Sequence, residues 1–392
     1  MSNNPEIPSQ IIIDTAKQSR GVILSDELQR ALPGTPEAFV KVDEAFLKGP
    51  EAYLDQLHES LFTFKANGGP EIPASLLYGS DSKKDEILVI FAAFNDGAPK
   101  TGPDELTSYL TKTIDSAPSI GDKQRALPGT WNQTTKSSVI FELLNAIGSG
   151  MPVLTIYSPI PIGAYNRGEK RNMREKGDFS PAGRIVQAAV DKAQKILHGA
   201  HSESRIDKIN FQGASLGASN AIGAADYLLN KNQMDVKTVT AQELIMGPDL
   251  GGIIKKFSIA GRAGEPSDLK VSNSPKIYEP HIRQAIDRYG SEPSMYARMF
   301  KAARLTYLRG LAHPQNTATT IERLLDNNVA VLAALAENSG LTYQTKSYLP
   351  HDKEKVVTVR AEKGQYADHL IDEHVALTGL IVALAVKSGS PR

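Results

Sequence analysis

The chain of 392 residues contains no cysteine. Disulfide bonds, thiolate metal ligands and a cysteine nucleophile are therefore excluded. An excess of charge of either sign is also absent, because 44 basic residues balance 44 acidic residues. Balanced charge provides no electrostatic attraction for nucleic acid or for an anionic membrane, so neither is expected as a partner.

Long apolar runs are missing as well. Near the N-terminus only residues 11–13 form an apolar run, which is shorter than the apolar region of a signal peptide. The run VAVLAALA at 329–336 is far below the ~20 residues of a membrane span. We therefore expect no membrane span and a cytoplasmic protein, with export by a route that needs no signal peptide left open. The sequence indicates no oligomeric state.

Short apolar runs rich in β-branched residues alternate along the chain with segments of helical periodicity. Continuous apolar strands that alternate with helices predict an α/β fold, with a mostly parallel central sheet and helices on both faces. The predicted strands are 87–94, 152–159, 208–212, 238–247, 329–336 and 356–361, and the predicted helices are 184–197, 218–230 and 375–387.

Two regions depart from this alternation. Residues 1–60 have helical spacing and no strand pattern, which predicts extra N-terminal helices. Residues 250–325 separate two predicted strands and contain helical stretches at 294–311 and 317–328. Because loops of this length rarely lack structure of their own, we interpret the segment as a helical cap inserted between late strands. The predicted core then comprises residues 61–249 and 326–392.

Residues 213–217 read G-A-S-L-G, a G-x-S-x-G frame between a predicted strand and a predicted helix. A sharp turn in this context lifts the hydroxyl of Ser215 clear of the sheet edge, and the crowded backbone requires small neighbours. Leu216 would begin the helix, so its backbone N–H is left to face an oxyanion. The simpler alternative is a glycine-rich strand-to-helix turn with an inert serine.

With this strand, turn and helix, the chain resembles the α/β-hydrolases over about residues 60–390. The resemblance implies that Ser215 is a nucleophile, followed along the chain by an acid and then by a histidine. His369 follows the last predicted strand, which ends at Ala361, by eight residues and matches the position of the histidine. His374 is the alternative base, although its position favours the first turn of the terminal helix.

The acid does not match the family pattern as well. The family places it after the strand here predicted at 329–336, in a frame resembling G-E-x-D. Ser339 occupies the aspartate position, and Glu337 lies two residues earlier, on the same side of an extended segment. Glu337 is therefore the first candidate. Asp249, after the preceding strand, is the alternative and also fits a helix N-cap.

The resemblance further implies a second oxyanion donor in the loop after the strand 87–94, where the backbone N–H of Phe94 is expected. The implied activity is hydrolysis of a carboxylic ester through an acyl-enzyme, which requires neither a metal nor an organic cofactor. A catalytically inactive α/β-hydrolase-like binding or structural protein is the alternative, favoured by Ser339 and by the extra N-terminal helices.

The predicted cap is rich in large apolar side chains. They suit a small-molecule substrate with an apolar acyl or ring group, although packing of the cap onto the core is the stronger interpretation. These side chains are Met295, Tyr296, Met299, Phe300, Leu305, Tyr307 and Leu308.

Substitution of the two candidate acids distinguishes them. We expect Glu337→Gln to lower kcat by orders of magnitude, because the histidine loses the carboxylate that orients its ring and stabilises its cation. Asp249→Asn should lower kcat much less. Ester hydrolysis by the two purified variants provides the measurement, and small losses of equal size in both would exclude both residues as the acid.

Overall fold

The described part of the chain folds around a nine-stranded sheet. The computed structural model describes residues 10–13, 57–80, 82–83, 85–91, 149–156, 160–200, 205–242, 244–247, 302–336, 345–349 and 356–361. The strands are β1 (Gln10–Ile13), β2 (Leu57–Lys65), β3 (Glu71–Gly79), β4 (Glu86–Phe91), β5 (Val153–Ile156), β6 (Lys208–Ala214), β7 (Asp235–Gln242), β8 (Ala330–Ala336) and β9 (Val356–Ala361). The helices are α1 (Arg167–Lys176), α2 (Ala182–Ala200), α3 (Leu216–Lys231), α4 (Ala302–Leu311) and α5 (Pro314–Asp326), with short 3-10 turns at Ile162–Ala164 and Thr345–Tyr348.

The strand order in the sheet is β1-β9-β8-β7-β6-β4-β5-β3-β2. Neighbouring strands from β1 to β5 in this order are parallel. The antiparallel pairs among the described strands are β3 with β5 and β3 with β2. The mostly parallel sheet of an α/β fold, predicted from the alternating apolar runs, is confirmed.

The direction of the chain connections changes between β4 and β6. From β4 the chain continues to β5 on one side, whereas from β6 it continues to β7 on the other. Such a switch opens a crevice outside the carboxyl ends of the two strands, where ligands bind in open α/β sheets. The residues that follow β4 and β6 therefore border this crevice.

The described strands β4 to β9 lie where apolar runs predict them, but the hairpin of β2 and β3 was not predicted. Residues 66–69 form its turn, in which the N–H of Gly69 donates to the carbonyl of Ala66 at 3.0 Å. Asn67 and Gly68 both have positive φ, as the central residues of a type I′ turn require. The Asn-Gly pair is a strong hairpin signal that the periodicity of longer windows obscured.

The N-terminal region contains strand where only helix was expected. Residues 10–13 form β1, which pairs parallel with β9, and Ile13 lies opposite Ala361. Residues 57–60 belong to β2. Three consecutive β-branched isoleucines favour a strand, but so short a run shows no alternation. Most of the predicted N-terminal helices lie outside the described residues, as does the predicted terminal helix at 375–387.

One face of the sheet packs against α2, α3 and α5 in a single apolar core. Phe91 and Phe211 stack within it, with ring centroids 6.5 Å apart and ring planes at 13°. The opposite face is covered too, since Leu88, Ile90 and Val153 on that side are at most 3% exposed. Burial on both faces explains why a strand such as β4 reads as a continuous apolar run.

Helix α3 lies at the centre of the helical layer, between α2 and α5. Twelve of its 16 residues are buried, and most of these are Ala, Gly or Ser. The close approach is evident at Gly223, where a Cβ atom would lie 2.3 Å from the carbonyl carbon of Phe179. Small side chains therefore let α3 fit between its neighbours.

Helices α4 and α5 confirm the helical stretches predicted before β8. Ile321, Leu324 and Leu325 of α5 belong to the apolar core, so α5 is part of the core layer, although the sequence assigned residues up to 325 to the cap. This helix belongs to the core because its apolar face packs against α3 and β8. Residues 250–301 of the predicted cap lie outside the described residues.

In the described ranges, no helix combines the length and the apolar character that a bilayer crossing requires. The cytoplasmic location stays a prediction.

A half-buried ion pair joins α3 to α5 and gives a test of this packing. Asp226 accepts two hydrogen bonds from Arg323, each 3.0 Å long, and this contact raises the pKa of the guanidinium above its usual range. Arg323→Ala leaves the carboxylate of Asp226, which is 8% exposed, without these two donors. We expect the free energy of unfolding in urea to fall by about 1–3 kcal/mol, less than for a fully buried pair because the side chain of Arg323 is 45% exposed.

Arg171→Ala serves as the control, because Arg171 pairs with Glu175 on the exposed surface of α1. Its effect on unfolding should be much smaller. Equal effects of the two substitutions would show that the Asp226 pair does not stabilise the layer.

Candidate active site

Ser215 lies on a sharp turn between β6 and α3. Its backbone has φ 58° and ψ −120°, a conformation that costs a non-glycine residue about 1–3 kcal/mol. Within the described residues, the other non-glycine residues with positive φ are asparagines, which tolerate the left-handed region. These asparagines are Asn67, Asn232 and Asn328. Serine has no such tolerance, so the surrounding structure must hold this turn.

Hydrogen bonds on both sides hold the turn. The N–H of Ser215 donates to the carbonyl of Gln242, at the end of β7, over 2.9 Å. The carbonyl of Ser215 accepts from the N–H of Ala218 over 3.1 Å, in the first turn of α3. The strained serine is thus fixed between the neighbouring strand and its own helix.

Gly213 allows the strand and the helix to meet. A Cβ atom at this position would lie 2.1 Å from the carbonyl oxygen of Gly217 and 2.6 Å from the backbone nitrogen of Ala218. Both neighbours are backbone atoms, which cannot turn aside as a flexible side chain does. The first glycine of the G-x-S-x-G frame is therefore required by the packing of this strand-to-helix turn. We call the turn at residues 213–217 the elbow.

The N-terminus of α3 provides backbone donors beside Ser215. Leu216 is the first residue of the helix, so its N–H has no acceptor four residues earlier in the same helix. The partial positive charge of a helix N-terminus favours an anion at this place. The arrangement suits the predicted oxyanion role of Leu216, which stays a prediction.

The elbow lies at the crevice between β4 and β6. In the register of these two strands, Phe91 pairs with Gly213, so β4 ends beside the elbow. Phe94, the predicted second oxyanion donor, follows three residues later and lies outside the described residues. The connection from β4 therefore starts where such a donor is needed.

The remaining predicted residues also follow strands that end at this edge. Ala336 pairs with Ala361, so β8 and β9 end at the same level, and β7 ends at Gln242. Glu337 directly follows β8, and the other predicted residues come after β7 or β9. These positions, Glu337, Asp249, His369 and His374, lie outside the described residues, so the acid and the base stay predictions.

Two buried tyrosines hold α4 against the same edge. The hydroxyl of Tyr307 donates to the carbonyl of Ile160 over 2.6 Å, and its ring lies edge-on to that of Tyr165, with centroids 6.2 Å apart. Burial raises the pKa of both phenols above their usual value, so both remain protonated. Tyr307 and Leu308 are at most 3% exposed and serve packing, as the stronger interpretation of the cap residues predicted.

A separate cleft of about 400 Å³ opens at the start of α5. Its lining includes Lys176, His313 and Tyr348 but no residue of the elbow. The ring of His313 is engaged in a hydrogen bond, with its Nε2 atom 3.1 Å from the carbonyl oxygen of Arg174. This histidine is therefore not a base for Ser215.

Two further residues border the elbow that the sequence did not single out. Gln242 contributes its backbone carbonyl, which no side-chain pattern reveals. Gln212, three residues before Ser215, is 1% exposed although its side chain is polar. The sequence of β6 alternates polar and apolar residues, so a further polar residue at position 212 gave no signal of its own.

Comparisons with known proteins yield similarity in structure alone. No family model matches the chain, and no curated protein matches it. An esterase from Pyrobaculum calidifontis is 14% identical with a TM-score of 0.47, over 89% of this chain and 93% of the other. A thermostable esterase from Pseudomonas putida is 13% identical with a TM-score of 0.44, over 89% and 88%. A structure described as an arylesterase is 12% identical with a TM-score of 0.46, over 91% and 99%.

At such low identities and TM-scores, these similarities carry no argument about activity. The fold assignment rests on the molecule itself. The mostly parallel sheet, the switch between β4 and β6 and the strained serine between β6 and α3 together form the α/β-hydrolase architecture that the sequence resembles.

Gly213→Ala tests the close contact at the elbow. We expect it to lower the melting temperature and to displace Ser215, because the new methyl group cannot fit beside the carbonyl of Gly217. Thermal unfolding of the purified variant provides the measurement. Gly199→Ala is the matched control, since a Cβ atom in that part of α2 meets nothing within 4 Å and alanine favours a helix. A Gly213 variant as stable as the Gly199 variant would contradict the contact.

Proposed function

We propose that the protein is a serine hydrolase that cleaves carboxylic esters, with Ser215 as the nucleophile. The observation that carries this proposal is the strained backbone of Ser215, fixed at the switch point of the sheet. Strain of this kind persists only where surrounding contacts enforce it, and it clusters at active sites. An inert serine gains nothing from such a conformation.

In the first half of the reaction, the Oγ atom of Ser215 attacks the ester carbonyl carbon. His369 accepts the hydroxyl proton and then gives it to the departing alcohol, as the bond between the acyl carbon and the alkoxy oxygen breaks. Glu337 orients the imidazole ring and stabilises its cation, with Asp249 and His374 as the alternative acid and base. The products of this half are an alcohol and an acyl-enzyme.

The oxyanion that forms in each half requires donors that are already in place. The N–H of Leu216 supports this role, because it begins α3 and is free of intrahelical bonding. Phe94 supplies the second N–H in this proposal. Preorganised donors of this kind contribute about 2.7–4 kcal/mol each to transition-state stabilisation.

In the second half, water attacks the acyl carbon and His369 acts again as the base. The bond to Oγ of Ser215 breaks, a carboxylic acid leaves, and the serine recovers its proton. No cofactor enters either half. The acyl group of the substrate is proposed to be apolar, contacted by cap side chains between residues 295 and 305.

Labelling with a fluorophosphonate tests the nucleophile. We expect the purified protein to be labelled on Ser215, because the probe phosphonylates serines that an adjacent base activates. Mass spectrometry of the labelled peptide identifies the site. Ser215→Ala is the matched control, since it removes the hydroxyl while the folded state can be verified by circular dichroism.

The opposite result supports the alternative function. If well-folded protein is neither labelled nor active on p-nitrophenyl esters of short and medium chain length, the enzyme proposal fails. The molecule is then a catalytically inactive binding or structural protein with this fold. Labelling that persists in Ser215→Ala would instead exclude Ser215 as the nucleophile.

A further inference from the structure

Polar side chains on one face of β6 differ sharply in their bonding. Asn210 is fully buried, and its amide nitrogen donates to Oε1 of Glu86 over 2.7 Å. Its side-chain oxygen accepts from the hydroxyl of Thr238, also over 2.7 Å. Asn210 thus belongs to a satisfied network that ties β6 to β4 and β7.

Gln212, two residues further along the same face, has no such network. Its side chain is 1% exposed, yet across the described parts of the chain neither Oε1 nor Nε2 has a hydrogen-bond partner. A buried polar group without a partner costs about 1–3 kcal/mol. Such groups in native proteins indicate a bound water molecule or a functional requirement.

The position of Gln212 relates it to the elbow. Residues two apart on a strand share a face, so Gln212 lies beneath Ala214, the residue before Ser215. Ala214 is half-buried, whereas Ser215 is 2% exposed, so the partly open side of the elbow is the side that carries Gln212. In register beside Gln212 on β7 is Thr240, whose hydroxyl can both donate and accept.

The neighbour on β4 gives this amide no hydrogen-bond partner. Ile90 lies directly opposite Gln212, and its side chain has no polar atom. A methionine of similar size would fill the same volume without an unsatisfied amide. Stability therefore does not explain a glutamine at this position.

We propose that Gln212 is a positioning residue of the active site and that its amide binds an ordered water molecule beneath the elbow, shared with the hydroxyl of Thr240. This proposal rests on the proposed function of Ser215. The bound water completes the hydrogen bonds of Gln212. Together they hold the backbone on the open side of the elbow, at Ala214, and thereby position the adjacent Ser215.

Gln212→Met provides the test, with stability and reactivity measured separately. We expect the melting temperature to change little, because methionine fills a similar volume and needs no bound water molecule to satisfy it. The second-order rate of fluorophosphonate labelling at Ser215 should fall at least tenfold. A purely structural role predicts the reverse pattern, with lower stability and an unchanged labelling rate.

Asn210→Leu is the matched control, since it also replaces a buried amide on the same face of β6. It leaves Glu86 and Thr238 without their partner, so the melting temperature should fall. Labelling of the folded variant, measured well below its melting temperature, should stay within about threefold of the native rate.

Gln212→Glu adds a second test, a pH dependence of the labelling rate that a change in packing alone would not produce. A protonated carboxyl has a donor and an acceptor, as the amide has, but burial disfavours its ionised form. The labelling rate relative to native protein at the same pH should therefore decrease as the pH rises and the carboxyl ionises. A ratio independent of pH would count against the proposal.

The outcomes separate this inference from the proposed function. If native protein is labelled and Gln212→Met is labelled at the native rate, or if Gln212→Met is less stable than native protein, the role of Gln212 is wrong and the nucleophile stands. If native protein is not labelled at all, the proposed function fails, and the role of Gln212 fails with it.

Discussion

The elbow depends on a backbone contact that leaves no space for a side chain. Gly213 ends the strand and the carbonyl of Gly217 lies within the first turn of the helix, so close that a Cβ atom between them would be 2.1 Å from that oxygen. This contact sets the angle between β6 and α3. The angle in turn requires Ser215 to take a conformation that serine avoids.

Packing on the far side of α3 maintains that angle. Its small residues allow α2, α5 and the segment around Phe179 to approach closely, and the ion pair of Asp226 with Arg323 links α3 to α5. A core at native packing density transmits strain because its side chains have little room to relax. The free energy gained by burying α3 along its length thus offsets the strain at Ser215. The conformation of the elbow therefore depends on the packing of the helical layer.

Sequence patterns predicted strands of the sheet most clearly where they form continuous apolar runs. Runs such as those of β4 and β8 have no polar positions to obscure them, and the length of each run separates it from a helix. The outer strands β2 and β3 carry polar residues such as Glu59 and Ser75, so a search for continuous apolar runs missed them. The isoleucines of β1 were too few to show a period.

The same reasoning explains which parts of the site were accessible from sequence. The elbow is local, since Gly213, Ser215 and Gly217 act within five residues of one another. The acid and base come from connections after β8 and β9, and their choice depends on where those connections lead in three dimensions. The unsatisfied amide of Gln212 and the carbonyl contact of Gln242 are products of strand pairing, which one sequence without its fold does not reveal.

The pairing of β4 with β6 also determines how the chain must assemble. Glu86 of β4 and Asn210 of β6 form a hydrogen bond although they are 124 residues apart in sequence. The other pairs between these two strands, such as Phe91 with Gly213, have a similar separation. Closing so long a loop has a high entropic cost before any contact forms, and such non-local pairings fold slowly. The β2–β3 hairpin, with its five-residue connection, can form early. The two strands that border the crevice are therefore expected to meet late, and the strained turn becomes fixed only when most of the sheet is already in place.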